Sequence, residues 1–291
     1  MAKVTYRMFL LCLMMLMHPP IAADSIMLYS PSWSSKNTLY KHEVVTKALD
    51  LTKQEYGSYT TKITDIDIKP KRIIALMQTG KLVNVAVFAA NEMWDKSALP
   101  IRIPIRGGML SYRLLLVNKN DLDKFSQVTS AEQLKALRPG VVNDWSTTGV
   151  LERGGFDVVQ SQHFEGLFSM LSSGRIEYIP RGVYEIYTEL ENRRQKYPDV
   201  VIEPTLAIRI PMVTYVYVAP QERRLAQRIE KGLAKMVQNG ELRRIFNKYY
   251  QQEFQLAQLH NRRIIEIESD YYMQLNGMES NLIWPLGDVQ H

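Results

Sequence analysis

Three arginines, a run of small hydroxyl residues and two tryptophans are the side chains in this sequence whose type and placement suit capture of a small polar molecule. Asp144-Trp145-Ser146-Thr147-Thr148 stands where a β-rich run around Val141-Val142 gives way to a helical pattern. Unpaired N–H groups at a helix start, joined by side-chain hydroxyls, favour an anion or carboxylate. The plainer role for Ser146 or Thr147 is an N-cap, and the two roles are compatible. Arg181 follows Pro180 at the end of the run RIEYIP, where a guanidinium could make a bidentate contact with a carboxylate or phosphate. Its competing role is an ion pair with Glu185, one turn along the next helix. Arg106, ahead of Gly107-Gly108, and Arg113 offer the same chemistry from a less telling context. Trp33 and Trp145 follow the ends of expected parallel strands, the edge where open α/β sheets hold ligands, and could stack on a ring or cover an apolar part. Trp94 and Tyr29 are placed similarly, although most aromatics in a chain of this size are core.

Catalytic and metal chemistry is thinly represented. His42, His163, His260 and His291 are scattered, without spacing such as H-E-x-x-H. There is no G-x-S-x-G, no P-loop and no G-x-G-x-x-G, so no catalytic residue, metal or cofactor is expected. An enzyme would need an acid or base such as Glu92 or Glu185 aimed into a cleft with a raised pKa.

The elements that must position these residues alternate short β-rich runs with amphipathic helical runs, the pattern of an α/β fold with mostly parallel sheets. SIMLYS (25–30) reads as a first strand, Tyr40 to Tyr56 as a helix ended by Gly57, and TTKITDI as a second strand. A short helix stopped by Gly80 and the strand VNVAVFAA (83–90) complete a β-α-β-α-β unit. Between Leu99 and Asn120, interruption by proline and Gly107-Gly108 before a clean strand suits a crossover between lobes. A second α/β unit follows: a helix at Ser130–Leu137 capped by Ser130, the turn DWSTTG, a helix in HFEGLFSMLSSG, the strand RIEYIP and a helix from Gly182 to Lys196. TYVYVAP (214–220) reads as a strand returning to the first lobe, and Glu222–Tyr250 as two helices split at Asn239-Gly240. In the first of these, Leu225, Ile229, Gly232, Leu233 and Met236 share a core-packing face. The tail beyond Leu259 is weakly patterned, and its IIEIE could add an edge strand.

At the start, MAKVTYRMFLLCLMMLMHPPIAADS has a basic beginning (Lys3, Arg7), an apolar run from Met8 to Met17, Pro19-Pro20 and Ala22-Ala23. This is the layout of a secretory signal with cleavage after Ala23, which would remove Cys12, the only cysteine. A run of about ten apolar residues is too short for a bilayer core that needs roughly twenty. The remaining chain is long enough for two lobes and needs no disulfides. Loss of Lys3 and Arg7 lowers the formal charge from +6 to about +4, a mild excess that gives no reason to expect a nucleic-acid partner. The basic cluster Arg262-Arg263, followed by Glu266 and Glu268, reads as a solvated face.

Four segments in this order, RIIALMQTGKLVNVAVF, SAEQLKALRPGVVNDWSTTG, FSMLSSGRIEYIPRG and LAQRIEKGLAKMVQNGELRRIFNKYY, resemble the periplasmic solute-binding proteins of the amino-acid-binding ABC-transporter kind. The resemblance spans about Ser25 to Tyr250 and implies a two-lobed type II binding fold, each lobe a mixed sheet flanked by helices, with a ligand cleft between lobes. It divides the chain into a signal peptide (1–23), a first lobe (24–112 plus 210–258), a second lobe (113–209) and a C-terminal extension (259–291). The implied function is periplasmic binding of a small polar or anionic solute by a monomer that closes about its hinge and delivers to a membrane permease. A sensor subunit docking on a membrane receptor, or a dehydratase-like enzyme on the same fold, are the alternatives. The sequence departs from that family's usual ligand residues. AANEMWDK lacks the arginine that clamps the ligand carboxylate, and EYIPRGVYE has Arg181 where an aspartate would hold the ligand ammonium.

Overall fold

The computed structural model describes residues 23–30, 35–66, 68–143, 145–268 and 282–284. The expected signal segment up to residue 22, Trp33, Asp144 and His291 lie outside them. The chain opens with strand β1 (Asp24–Tyr29), helix α1 (Ser35–Asp50), the short α2 (Lys53–Tyr56), β2 (Tyr59–Thr64), α3 (Pro70–Thr79), β3 (Val85–Ala89), α4 (Glu92–Ser97) and β4 (Leu99–Ile101). Local chemistry sets several of these limits. Pro70 opens α3, where a missing N–H costs nothing. Gly80 closes it at φ 64°, and its N–H caps the carbonyls of Leu76 and Met77.

The helix expected to run to Tyr56 breaks instead at Leu51-Thr52. The Thr52 hydroxyl turns back to the Ala48 carbonyl (3.0 Å), and the chain wraps around a fully buried Arg228. That guanidinium donates to the carbonyls of Leu49 (3.2 Å) and Gly57 (2.8 Å) and pairs with Asp24 at 2.5 Å.

The second half of the fold holds β5 (Tyr112–Asn118), α5 (Leu122–Ser126), α6 (Ala131–Lys135), β6 (Gly140–Val142), α7 (Ser146–Arg153), β7 (Val159–Ser161), α8 (Phe164–Ser172), β8 (Tyr178–Gly182) and α9 (Val183–Glu191). Then come β9 (Val200–Ile202), β10 (Leu206–Arg209), β11 (Thr214–Val218), α10 (Arg223–Gln238), α11 (Glu241–Ala257) and β12 (Arg263–Glu266). Between β9 and β10 the buried Glu203 carboxylate accepts from the N–H groups of Thr205 (2.9 Å) and Leu206 (2.5 Å), making a turn that hydropathy does not signal.

Two mixed sheets result. The first runs β2-β1-β3-β11-β4, with β1 parallel to β2 and β3, and β11 antiparallel to both β3 and β4. Every residue of TYVYV is buried, as a strand covered on both faces requires. The second sheet runs β12-β10-β5-β8, with β9 also paired to β5. Arg263–Glu266 is therefore an edge strand of this sheet, parallel to β10. Arg263, Glu266 and Glu268 are exposed, as a solvated face requires, while the half-buried Arg262 donates to the carbonyls of Ala257 (2.6 Å) and Leu206 (3.1 Å), and Arg263 to that of Val128 (2.5 Å). Strands β6 and β7 form a separate parallel pair.

The chain passes between the sheets three times among the described residues, after β4, between β10 and β11, and after α11 on the way to β12, and the first two passages are bonded together. The Ile210 N–H donates to the Ser111 carbonyl (2.9 Å), the Met212 N–H to the Ser111 hydroxyl (3.0 Å), and the Ile105 N–H to the Thr214 carbonyl (3.1 Å). Helices α1, α10 and α11 pack beside the first sheet around Tyr40, Val44, Ala48, Ile229, Leu233 and Phe246. At Gly232 a Cβ would lie 2.1 Å from the Ala48 carbonyl oxygen, so α10 meets α1 at backbone contact.

Candidate ligand cleft between the sheets

The chain passages bring charged and aromatic side chains of both halves together, and Arg106 lies at their centre. It sits in the first passage, 97 % buried, with its guanidinium carbon 4.4 Å from the Tyr184 ring centroid, 5.4 Å from Tyr40 and 5.5 Å from Tyr250. Tyr184 belongs to α9 beside the second sheet, whereas Tyr40 and Tyr250 belong to α1 and α11 beside the first. Arg106 Nη2 donates to Asn37 Oδ1, and its buried Nε has no hydrogen-bond partner among the described residues. Burial works against its charge, but the neighbouring Tyr184, Tyr250, Tyr40 and Glu185 hold its pKa above the usual value, so it stays a cation. Burial in turn raises the Tyr40 and Tyr184 hydroxyls far above their normal range and Tyr250 to about 12.

Lys41, next to Tyr40 on the opening turns of α1, is a second cation in this place. Its side chain is 93 % buried and its Nζ lies 5.7 Å from the Phe88 ring centroid near the end of β3. No hydrogen bond or ion pair holds it among the described residues. Burial first, and Arg106 second, push its pKa down to about 7, with Glu185 opposing. The sequence does carry a signal for Lys41. It occupies the stripe continued by Val44, Val45 and Ala48, three, four and seven residues on, which is a lysine where a core residue belongs.

Arg181, at the end of β8, is also buried but fully engaged. Its Nε and Nη2 grip both oxygens of Glu189 at 2.6 and 2.5 Å, and Nη2 also meets Glu185 at 3.1 Å. The pairing with Glu185 is thus present, and the stronger partner is the unforeseen Glu189. The guanidinium carbon lies 4.1 Å from the Trp145 ring centroid and 4.9 Å from Phe164. Burial weighs against the charge of Arg181, and its two glutamates more than restore it. Burial also raises the Glu189 carboxyl, against the pull of Arg181.

The hydroxyl run is largely internal. Trp145 stands at the N-cap of α7 with no side-chain cap bond, Ser146 is half-buried, and Thr147 and Thr148 are buried. The Thr148 hydroxyl donates to the Val142 carbonyl at 2.8 Å, fastening the turn to β6. Arg106 and Arg181 share Tyr184 and Glu185 as neighbours, with Trp145 against Arg181, while Trp33 falls outside the described residues. Arg113 lies alongside, its Nη2 3.1 Å from Met212 Sδ. Trp94 is core, stacked on Phe88 at 4.4 Å. No group of acidic, histidine or cysteine side chains with metal-binding geometry occurs among the described residues. A separate open groove of about 820 Å³ runs past Tyr187, Pro198, Ile202 and Leu256, but its rim charges Glu191 and Arg194 pair with each other at 3.2 Å and are exposed.

No family model matches the chain, and no curated protein sequence does. Solved structures do match it. An ancestral arginine-binding protein bound to arginine superposes with a TM-score of 0.55 at 17% identity, over 78% of this chain and 98% of the other. A probable amino-acid ABC transporter extracellular-binding protein, ytmK from Bacillus subtilis, gives 0.56 at 15% identity, over 78% and 98%. An amino acid ABC transporter substrate-binding protein from Streptococcus pneumoniae bound to L-arginine gives 0.54 at 12%, over 79% and 93%. At such identities the likeness is one of fold, and the chain accordingly has the two-lobed α/β fold of the periplasmic solute-binding proteins of ABC transporters.

Proposed function

We propose that this protein binds a small polar or anionic solute between its lobes, closes about the chain passages that join them, and hands the unaltered solute to an ABC-type membrane permease, working as a periplasmic monomer. The observation that carries this reading is the position of Arg106. A cation on the hinge segment itself, flanked by Tyr40 and Tyr250 from one side and Tyr184 from the other, couples whatever it binds to the spacing of the lobes. Fold alone would not license a function; the buried charges converging in this cleft support it.

The test is a thermal-unfolding screen of small metabolites. At a concentration about a hundred times Kd, a true ligand stabilises by about 2.7 kcal/mol. A hit recovered chemically intact, with a smaller radius of gyration by X-ray scattering when bound, is the expected result. Conversion of the hit to a product would replace this reading with the dehydratase-like enzyme.

A further inference from the structure

We propose that the ligand of this cleft is a small oxyanion that carries no ammonium group, and that Lys41 and Arg106 are the pair that holds it. This deepens the solute-binding reading above and rests on it. Both cations are more than nine-tenths buried, and they come from different segments, α1 and the first chain passage. Lys41 has no hydrogen-bond or ion-pair partner among the described residues, and Arg106 keeps an unsatisfied Nε. Buried ammonium and guanidinium groups are costly unless something anionic completes them.

The acidic groups of the cleft make no hydrogen bond or ion pair with Lys41 or Arg106, although Glu185 acts on both through space. Glu189 is taken bidentately by Arg181, and Glu185 binds the same guanidinium at 3.1 Å. With Arg113 alongside, these groups comprise four cations and two carboxylates. An anion reduces the positive excess, whereas a zwitterion leaves the excess in place and sets its own ammonium beside Lys41, Arg106 or Arg181. Like charges in a low-dielectric cleft repel strongly. The amino-acid ligands named for the matching structures therefore do not suit this cleft. A carboxylate and a phosphate share the required chemistry, as planar or tetrahedral oxygens that accept from guanidinium and ammonium alike.

The experiment titrates the whole mature chain calorimetrically with matched pairs that differ by the ammonium alone: glutarate and L-glutamate, succinate and L-aspartate, 3-phenylpropanoate and L-phenylalanine. Inorganic phosphate, D-glucose and putrescine complete the set. We expect at least one acid to bind about tenfold or more tightly than its amino acid, with that binding lost in Lys41→Met and in Arg106→Gln. Binding of phosphate alone would support the oxyanion and assign phosphate as its source. An amino acid that outbinds its acid, or binding of D-glucose or putrescine alone, would overturn the proposal and leave solute binding standing. An anion bound equally by both variants would overturn the assignment to this pair. Failure of every compound would count against both readings. Lys41→Met keeps a side chain of similar length and leaves the core intact, so the test survives even if Arg106→Gln does not fold.

Discussion

Replacing Lys41 by methionine should make the ligand-free protein more stable, and by an amount that depends on pH in a calculable way. The folded chain holds this lysine at about 7 instead of the usual 10.5, through burial first and Arg106 second. The groups that face it are Arg106 from the first chain passage, Glu185 from α9 and the ring of Phe88 from β3. Below pH 7 both folded and unfolded chains carry the proton, and the penalty for the buried charge is constant at about 4 to 5 kcal/mol. Between pH 7 and 10.5 the unfolded chain still holds a proton that the folded chain has released, so wild-type stability rises with pH across this window. By pH 9.5 the remaining penalty is between about 1 and 2 kcal/mol.

Lys41→Met never incurs it. For a chain of this size, 1 kcal/mol moves Tm by roughly 2 to 4 °C. The variant should therefore melt on the order of 10 °C higher than wild type at pH 7, and only a few degrees higher at pH 9.5. Differential scanning calorimetry of both proteins at several pH values, without added ligand, measures this directly. A variant that melts below wild type at pH 7, or a difference that does not shrink towards pH 9.5, would refute the reasoning. A gain in stability joined to a loss of binding is the trade expected of a site residue.

Other consequences can be checked by the same unfolding measurements. Arg228→Leu removes a fully buried guanidinium from Asp24 and from several backbone carbonyls, and should cost about 3 to 5 kcal/mol, seen as a lowered urea midpoint. Gly232→Ala drives a methyl group into the Ala48 carbonyl and should cost about 1 to 3 kcal/mol, whereas alanine at Gly174, which has open space but φ of 70°, should cost about 1 kcal/mol through backbone strain alone. Glu189→Gln takes the bidentate partner from Arg181 and should lower Tm while leaving Glu185 as its only carboxylate, with Glu189→Asp intermediate.

Much of the architecture is legible in the sequence because its signals are local. Gly80 stops α3, Asn239-Gly240 divides α10 from α11, and Ser130 caps α6 through the Gln133 N–H, each where residue type alone places it. What escapes is tertiary. The break after Asp50 exists because Arg228, some 180 residues away, needs the carbonyls that the turn exposes. The turn between β9 and β10 exists because Glu203 folds onto its own backbone. In the cleft, Arg106 and Arg181 stand out as cations at chain crossings and strand ends, but Glu189 is two turns along a helix and shows no sign of its role until α9 is packed. Lys41 was visible only as an irregularity, one charge on an apolar stripe.

The described tryptophans occupy three mechanically distinct places. Trp94 is sealed inside the first lobe against Phe88, and Trp145 lies over the Arg181 guanidinium in the second. Trp284 rests on the hinge: its backbone N–H donates to the Gly107 carbonyl at 3.0 Å, its ring centroid is 4.9 Å from that of Phe246, and its ring fills the space where a Cβ on Gly107 would go. Indole emission responds to nearby charge and to water. A chain reduced to Trp284 should thus shift to longer wavelength when the lobes part, one reduced to Trp145 should register any change in the partners of Arg181, and one reduced to Trp94 should stay constant as an internal standard. The molecule carries its own optical gauge of hinge and cleft, with no dye required.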